Sequence, residues 1–347
     1  MTEYIERFRQ WKLTVLALVV LLFFTVIGAT AMGPVNIPPV TVAKILLGKL
    51  PLLNNVFSPT WSNIEENIII QIRLPRIILG VLVGSALAVA GAAMQGLFKN
   101  PMADPYVIGI SSGAAFGATI SIVLGLGGII SMPAMAFFGA MFSAFLVYNI
   151  AKSETGMSVE TLLLSGIAVA IFFSALTSFF MYFAGENLHQ IVFWIMGGLW
   201  ARGWDHVAVA TIPISLGIIG IYAFARDLNV MQLGEESAAT LGIETETVNK
   251  ILLGLSALIA GIAVSVSGII GFVGLIIPHM ARIVVGPDHR ILIPTSALAG
   301  AIFLIFADSI ARTVISPAEL PVGIITAFFG APFFIYLLKK RKRVTLC

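Results

Sequence analysis

Charge is what this sequence has least of. Only 11% of its 347 residues are Asp, Glu, Lys or Arg, 59% are hydrophobic, and the mean hydropathy is +1.02. Soluble domains carry about 25% charged residues and cannot hide this much apolar surface, so a soluble globular fold is excluded. Cysteine is almost missing as well. The single thiol, Cys347, is the last residue, which leaves no disulfide framework and no thiol metal site. No GxxxxGK[ST] motif occurs, because the one Gly-Lys pair, Gly48-Lys49, is followed by Leu50. The chain therefore brings no phosphate cradle of its own. HExxH, paired carboxylates in an apolar cleft and His/Cys clusters are absent too. The four histidines, His189, His206, His279 and His289, are scattered near expected membrane edges, where an interfacial role outweighs ligation. No enzyme chemistry is legible.

What remains is apolar sequence in runs of about 20 residues, the length that matches the hydrocarbon thickness. A β-barrel would show period-two alternation in segments of about ten residues, and none is present. The fold class is an all-α polytopic membrane protein. Spans are expected at about 13–32, 74–98, 105–126, 132–151, 160–184, 206–225, 248–268, 271–285, 291–312 and 321–338, ten in all. The first run is span-length, longer than the core of a cleaved signal peptide. Between Gly33 and Gln71 the prolines Pro34, Pro38, Pro39, Pro51 and Pro59 break any long helix, which predicts an extramembrane loop with short interfacial helices. The Asn-Pro and Asp-Pro steps of KNPMADP, residues 99–105, divide the second span from the third. Residues 187–205 carry Trp194, Trp200 and Trp204 and read as a short helix at the membrane surface. The whole is one transmembrane domain: a first half to about 225, a polar loop 226–250, a second half about 251–338, and a basic tail 339–347.

Orientation follows from Lys and Arg. With the N-terminus cytoplasmic, fourteen of the twenty basic residues fall inside, among them Arg226, Lys250, Arg282, Arg290 and the KKRKR tail. Six fall outside: Lys44, Lys49, Arg73, Arg76, Arg202 and Arg312. Both termini and the polar loop are then cytoplasmic. This asymmetry also accounts for the pI near 9.0 without invoking nucleic acid. Gly84, Gly91, Pro101 and Gly109 recur at Gly261, Gly268, Pro278 and Gly286, each 177 residues on. That offset covers an odd number of helices, so the second copy is inverted, a transporter signature.

The polar loop, RDLNVMQLGEESAATLGIETETVNK, is the most charged internal segment. Gly234 and Gly242 bracket a short helical piece with Glu235 and Glu236 in its first turn, where the helix dipole favours acids. A solvated connector and a docking helix, its apolar face made by Ala238 with Leu241, are equally open readings. Arg73 and Arg76 of RLPR and Arg312 lie outside against the charge bias. They read either as interfacial anchors or as a basic rim for an acidic partner. Asp308 is the main intramembrane acid, placed to pair with Arg312 at i,i+4.

RLPR, then GxxxGxxLAxxGxxMQGLFKNPMADPxxIGISSGA, LGEESAATLG, GFVGLIIPHMAR, DHR and ELPVGIITAFFGAPFFIYLL together resemble the FecCD family of ABC importer permeases, over about Arg73 to Lys339. These are the transmembrane subunits for cobalamin, haem and iron–siderophore uptake, with BtuC-type permeases as one branch. The resemblance implies a permease in the cell membrane, pairing with a second copy in a homodimer. Partners would be two ABC ATPase subunits, which hold the ATP and Mg, and one extracytoplasmic substrate-binding protein. No cofactor would bind this chain. By motif, Leu233, Gly234, Glu235, Glu236, Ala238, Leu241 and Gly242 would touch the ATPase. Arg73, Arg76 and Arg312 would bind acidic residues of the binding protein. Ser158, Val159 and Glu160 would form the cytoplasmic gate, Glu160 departing from the small polar residue expected there. A secondary carrier with an inverted repeat is the alternative, and a structural membrane protein a third. Nothing in the sequence chooses between the chelates.

Overall fold

Across hydrocarbon a helix satisfies all its own backbone hydrogen bonds, and this chain is helical almost throughout. The computed structural model describes residues 2–49, 61–126, 128, 130–153 and 156–344. Pro51, Pro59 and Cys347 lie outside the described residues. In order come α1 (Thr2–Ala31), α2 (Pro39–Gly48), α3 (Asn63–Asn67), α4 (Leu74–Leu97), α5 (Ile110–Val123), α6 (Ser131–Ala151) and α7 (Val159–Phe183). They are followed by α8 (Leu188–Met196), α9 (Trp204–Ala223), α10 (Ala225–Met231), α11 (Glu235–Thr240), α12 (Thr245–Ser267), α13 (Val273–Val285), α14 (His289–Thr313) and α15 (Val322–Val344). Among the described residues the one strand pairing is two residues long, Lys152 with Met157 and Ser153 with Gly156.

Seven of the ten expected spans are helices long and apolar enough to cross a bilayer. The other three are shorter in their apolar part: Ile110–Val123, Val273–Val285 and Val322–Tyr336. The expected span 105–126 opens instead as a 3₁₀ turn, Pro105–Ile108, followed by Gly109 in the left-handed region at φ 77°. The expected span 271–285 is preceded by irregular backbone in which Phe272 is left-handed, at φ 70°. Irregular backbone at membrane depth is tolerated where protein surrounds it. Here Ser143 Oγ donates to the Gly109 carbonyl at 2.7 Å and the Tyr106 hydroxyl to the Ile270 carbonyl at 3.1 Å. The second span differs in the other direction. Its helix runs back to Asn63 through a π-helical stretch, Ile68–Arg73, just before Pro75, whose missing N–H makes a regular α turn incomplete. Ser62 starts it with a capping box to Glu65.

α4 is the hub. From Ala86 to Leu97 every one of its residues is buried, and helices α9, α12, α13 and α14 pack around it. Between apolar helices in a bilayer, close approach comes from small residues. Gly84 meets Gly300 of α14, where an added Cβ would stand 2.3 Å from the Gly300 carbonyl oxygen. Gly91 meets Gly274 of α13 with still less room, 1.8 Å to its carbonyl oxygen. Contacts of Arg76 with Asp308 and Ser85 with Ala297 show α4 and α14 running antiparallel. Of the four residue pairs 177 apart, Gly84 and Gly261 both lie inside long buried helices, and Gly109 and Gly286 both take positive φ. Pro101 is in a turn, whereas Pro278 is inside α13. Around this core, α1, α7, α9 and α15 turn large apolar side chains outward, including Phe24, Leu164, Ile212 and Phe328. Bilayer lipid is the solvent that suits such a surface.

Candidate functional site

At one end of the helix bundle the polar loop folds into two short helices. Glycine is required at both ends of α11. Gly234 sits at φ 116°, ψ 156°, a region open to glycine alone, and Gly242 at φ 81° ends the helix in the left-handed region. The ending is a Schellman motif: the Ile243 N–H donates to the Ala238 carbonyl and the Gly242 N–H to the Ala239 carbonyl, each at 3.0 Å. This geometry separates two residues that helical spacing placed on one face. Ala238 is fully buried, packed inward, while Leu241 lies past the last helical residue and is 65% exposed. Leu233, just before Gly234, is 69% exposed. The apolar surface offered to water is therefore Leu233 and Leu241, and the expected outward role of Ala238 is corrected to an anchoring one. Glu236 is exposed beside them; the side chain of Glu235 lies outside the described residues.

The loop is clamped to the transmembrane core by Asn229 and Gln232, which motif reading passed over, and by Asp288 and His289 of the DHR motif, which it left without a role. Asn229 of α10 donates through Nδ2 to Asp288 Oδ1 at 2.7 Å and accepts the His289 N–H at 2.8 Å. Gln232 Nε2 donates to the Gly96 carbonyl at the end of α4, at 2.8 Å. Asp288 caps α14 and pairs with Arg290 at 2.6 Å. Burial pushes its carboxyl pKa up, but hydrogen bonds from Arg290 and Asn229 outweigh that and hold it at about 2. The recognisable signal was Asp288 as an N-cap candidate ahead of an apolar run. Asn229 and Gln232 gave none, since their partners lie 60 and 136 residues away.

The expected gate residues open α7. Ser158 caps it, accepting the Thr161 N–H at 3.5 Å; Glu160 sits in the first turn, and all three of Ser158, Val159 and Glu160 are exposed. Nothing joins them to the polar loop by hydrogen bond or ion pair among the described residues.

At the opposite end of the bundle, the structure does bring Arg73, Arg76 and Arg312 together, but not as a rim. They are 5%, 8% and 5% exposed. Arg76 spans two carboxylates: Nε and Nη2 donate to Asp308, the latter at 2.8 Å, and Nη1 donates to both oxygens of Glu319, at 2.8 and 3.0 Å. Arg312 pairs with the same Asp308 at 3.2 Å, as i,i+4 spacing predicts. Arg73 donates to the carbonyls of Thr30, Ala31 and Val35, and Arg312 to those of Ala29 and Met32. Except for Val35, in the loop that follows, those are the orphan carbonyls at the C-terminus of α1, where cations are favoured. A free guanidinium at the edge of hydrocarbon is costly, so each finds acceptors inside the fold. The network ties α1, α4 and α14 into one frame at this end of the bundle. Of its acids Glu319, with its side chain 31% exposed, is the one that reaches water.

Comparison with known proteins bears on what such a scaffold does. The profile of the FecCD transport family matches residues 18–340. The chain belongs to that family. Among relatives, the cobalamin import system permease protein BtuC of Halobacterium salinarum is 48% identical over 271 residues, covering 78% of this chain and 73% of that one. The hemin transport system permease protein HmuU of Yersinia pestis is 40% identical over 284 residues, covering 79% and 83%. Among solved structures, an inward-facing metal-chelate type ABC transporter superimposes with a TM-score of 0.82 at 31% identity, over 94% of this chain and 98% of that one. This FecCD member is accordingly a multi-span permease of the ABC importer class, a family whose ATPase and binding-protein functions belong to partners.

Proposed function

We propose that the chain is the membrane subunit of a binding-protein-dependent importer that moves a metal chelate into the cytoplasm. Two copies form the pathway, with both termini and the polar loop inside the cell. Two separate ATPase subunits carry the ATP and Mg. The observation that carries the reading is the pair Leu233 and Leu241, two exposed leucines flanking α11 in a loop that Gln232 ties to Gly96 of α4 and Asn229 of α10 to Asp288 at the head of α14. An ATPase groove that takes these leucines moves the loop, and the Gln232–Gly96 and Asn229–Asp288 bonds pass that movement to the core. Ser158, Val159 and Glu160 close the pathway at the cytoplasmic side. Outside, the frame built by Arg73, Arg76 and Arg312 fixes the surface on which the binding protein settles, with the Arg76–Glu319 pair as its accessible edge. A proton-coupled carrier is the weaker reading. Asp308, the main acid within the spans, is taken up in ion pairs with Arg76 and Arg312 that tie helices together.

The chelates transported by relatives include cobalamin and hemin. Uptake of labelled cobalamin, ferric siderophore and haem, compared side by side in cells lacking this chain, tests the reading. The expected result is loss of one of the three, restored by the gene. Unchanged uptake of all three overturns it.

A further inference from the structure

Residues 187–205, set aside in the sequence as a surface helix, build something more specific. α8 ends at Gly197, which takes φ 69°, and the Gly198 N–H donates to the Ser267 carbonyl at 2.7 Å, pinning the turn to the end of α12. A side chain at Gly198 would strike the Trp200 ring at 1.5 Å, so the glycine is the space the indole fills. Trp194 does not sit at an interface but is buried, 5% exposed. Ala201 is held in the left-handed region at φ 53°, sparsely populated for a residue with a Cβ, and it directs the next residue, Arg202.

The result is a cavity of about 390 Å³ lined by His189, Gln190, Phe193, Trp194, Trp200 and Arg202. Its wall is continuous aromatic surface: the His189 and Phe193 rings lie 4.4 Å apart, and Phe193 meets Trp200 edge-on at 5.8 Å. Arg202 differs from the three arginines of the outer frame. It is partly buried, its one hydrogen bond among the described residues joins Nη1 to His206 Nε2 at 3.1 Å, and its Nε is buried with no partner. No carboxylate pairs with it among the described residues, and Asp205 nearby is exposed to water. Burial pushes its guanidinium pKa down to about 10, with no acid to offset it. A desolvated cation costs free energy until an anion reaches it.

We propose that this cavity is an outer subsite for the transported chelate, with a carboxylate of the ligand on Arg202 and its planar apolar edge against Phe193 and Trp200. The subsite rests on the reading of the chain as a metal-chelate permease and narrows the substrate class to carboxylate-bearing chelates. A volume of about 390 Å³ is in the range of small-ligand sites. It admits one edge of a large planar molecule, which suits a station on a pathway better than a closed binding site. A planar guanidinium fork matches a carboxylate in two parallel hydrogen bonds, and it stacks on aromatic faces.

The test uses the full chain in vesicles of neutral phosphatidylcholine, titrated with protoporphyrin IX and with its dimethyl ester. The two probes share the ring and differ in charge. The diacid is expected to bind the unmodified chain about tenfold more tightly or better, the scale of a charge-assisted hydrogen bond. Arg202→Gln should remove that preference without changing affinity for the ester, Arg202→Lys should keep part of it, and Trp200→Leu should weaken both probes. Equal binding of the two probes to the unmodified chain, or an unchanged ratio in Arg202→Gln, overturns the subsite. The comparison of probes on unmodified protein holds even where a variant fails to fold. Charge-selective binding in a chain that supports uptake of no chelate would keep the subsite and remove the permease reading; uptake without charge selectivity would do the reverse.

Discussion

Replacing Leu233 and Leu241 together by Asp is expected to cut chelate uptake at least tenfold while leaving the melting midpoint of the chain unchanged. Both side chains are mostly exposed, 69% and 65%, so the fold gains little from them. If they are buried in an ATPase groove, each contributes about 1.5–3 kcal/mol there. Losing both weakens docking by roughly 100-fold or more. Ala238→Glu is the informative contrast. It puts a charge into a fully buried position within the core cluster, so it should lower stability along with uptake. Normal uptake in the double Asp variant, at normal expression, would remove the ATPase-contact role from these leucines.

The second large effect is on stability, and its order across three substitutions is what matters. Asp308→Asn leaves two guanidiniums, Arg76 and Arg312, facing a neutral amide in a site where Asp308 is 2% exposed. The expected loss is on the order of 3–5 kcal/mol, the cost of breaking a buried pair. Arg76→Gln keeps the Asp308–Arg312 pair and should cost less. Glu319→Gln removes a carboxylate whose side chain is 31% exposed, where water screens the pair, and should cost about 1 kcal/mol or less. Thermal unfolding in detergent, followed by intrinsic fluorescence, reads this order. A Glu319→Gln variant as damaged as Asp308→Asn would mean that the frame is held at its surface and not at its centre.

Much of this architecture was legible because hydrocarbon imposes simple rules. Run length placed the long helices, and the Asn-Pro and Asp-Pro steps marked the break before Pro105. Length failed where protein, not lipid, surrounds the backbone: the spans expected at 105–126 and 271–285 begin as irregular backbone satisfied by Ser143 and Tyr106. Helical spacing put Ala238 and Leu241 on one face, but a helix of six residues ends before Leu241, and Gly242 turns the chain away. The charge bias singled out Arg73, Arg76 and Arg312 as a group, and they are one. It could not show that their acceptors are the α1 carbonyls and two acids more than 230 residues away in sequence from Arg76. Arg202 was counted among the outer cations and passed over, because the absence of a partner is visible only in space.

The most direct measurement of the central claim is the energy source of uptake. Cells lacking ATP synthase and expressing this chain would be given the transported chelate after ATP depletion with arsenate, and separately after collapse of the proton gradient with a protonophore. The expected result is that uptake stops with arsenate and continues with the protonophore. Uptake that survives ATP depletion but stops with the protonophore would contradict an ATP-driven importer and establish a gradient-driven carrier in its place.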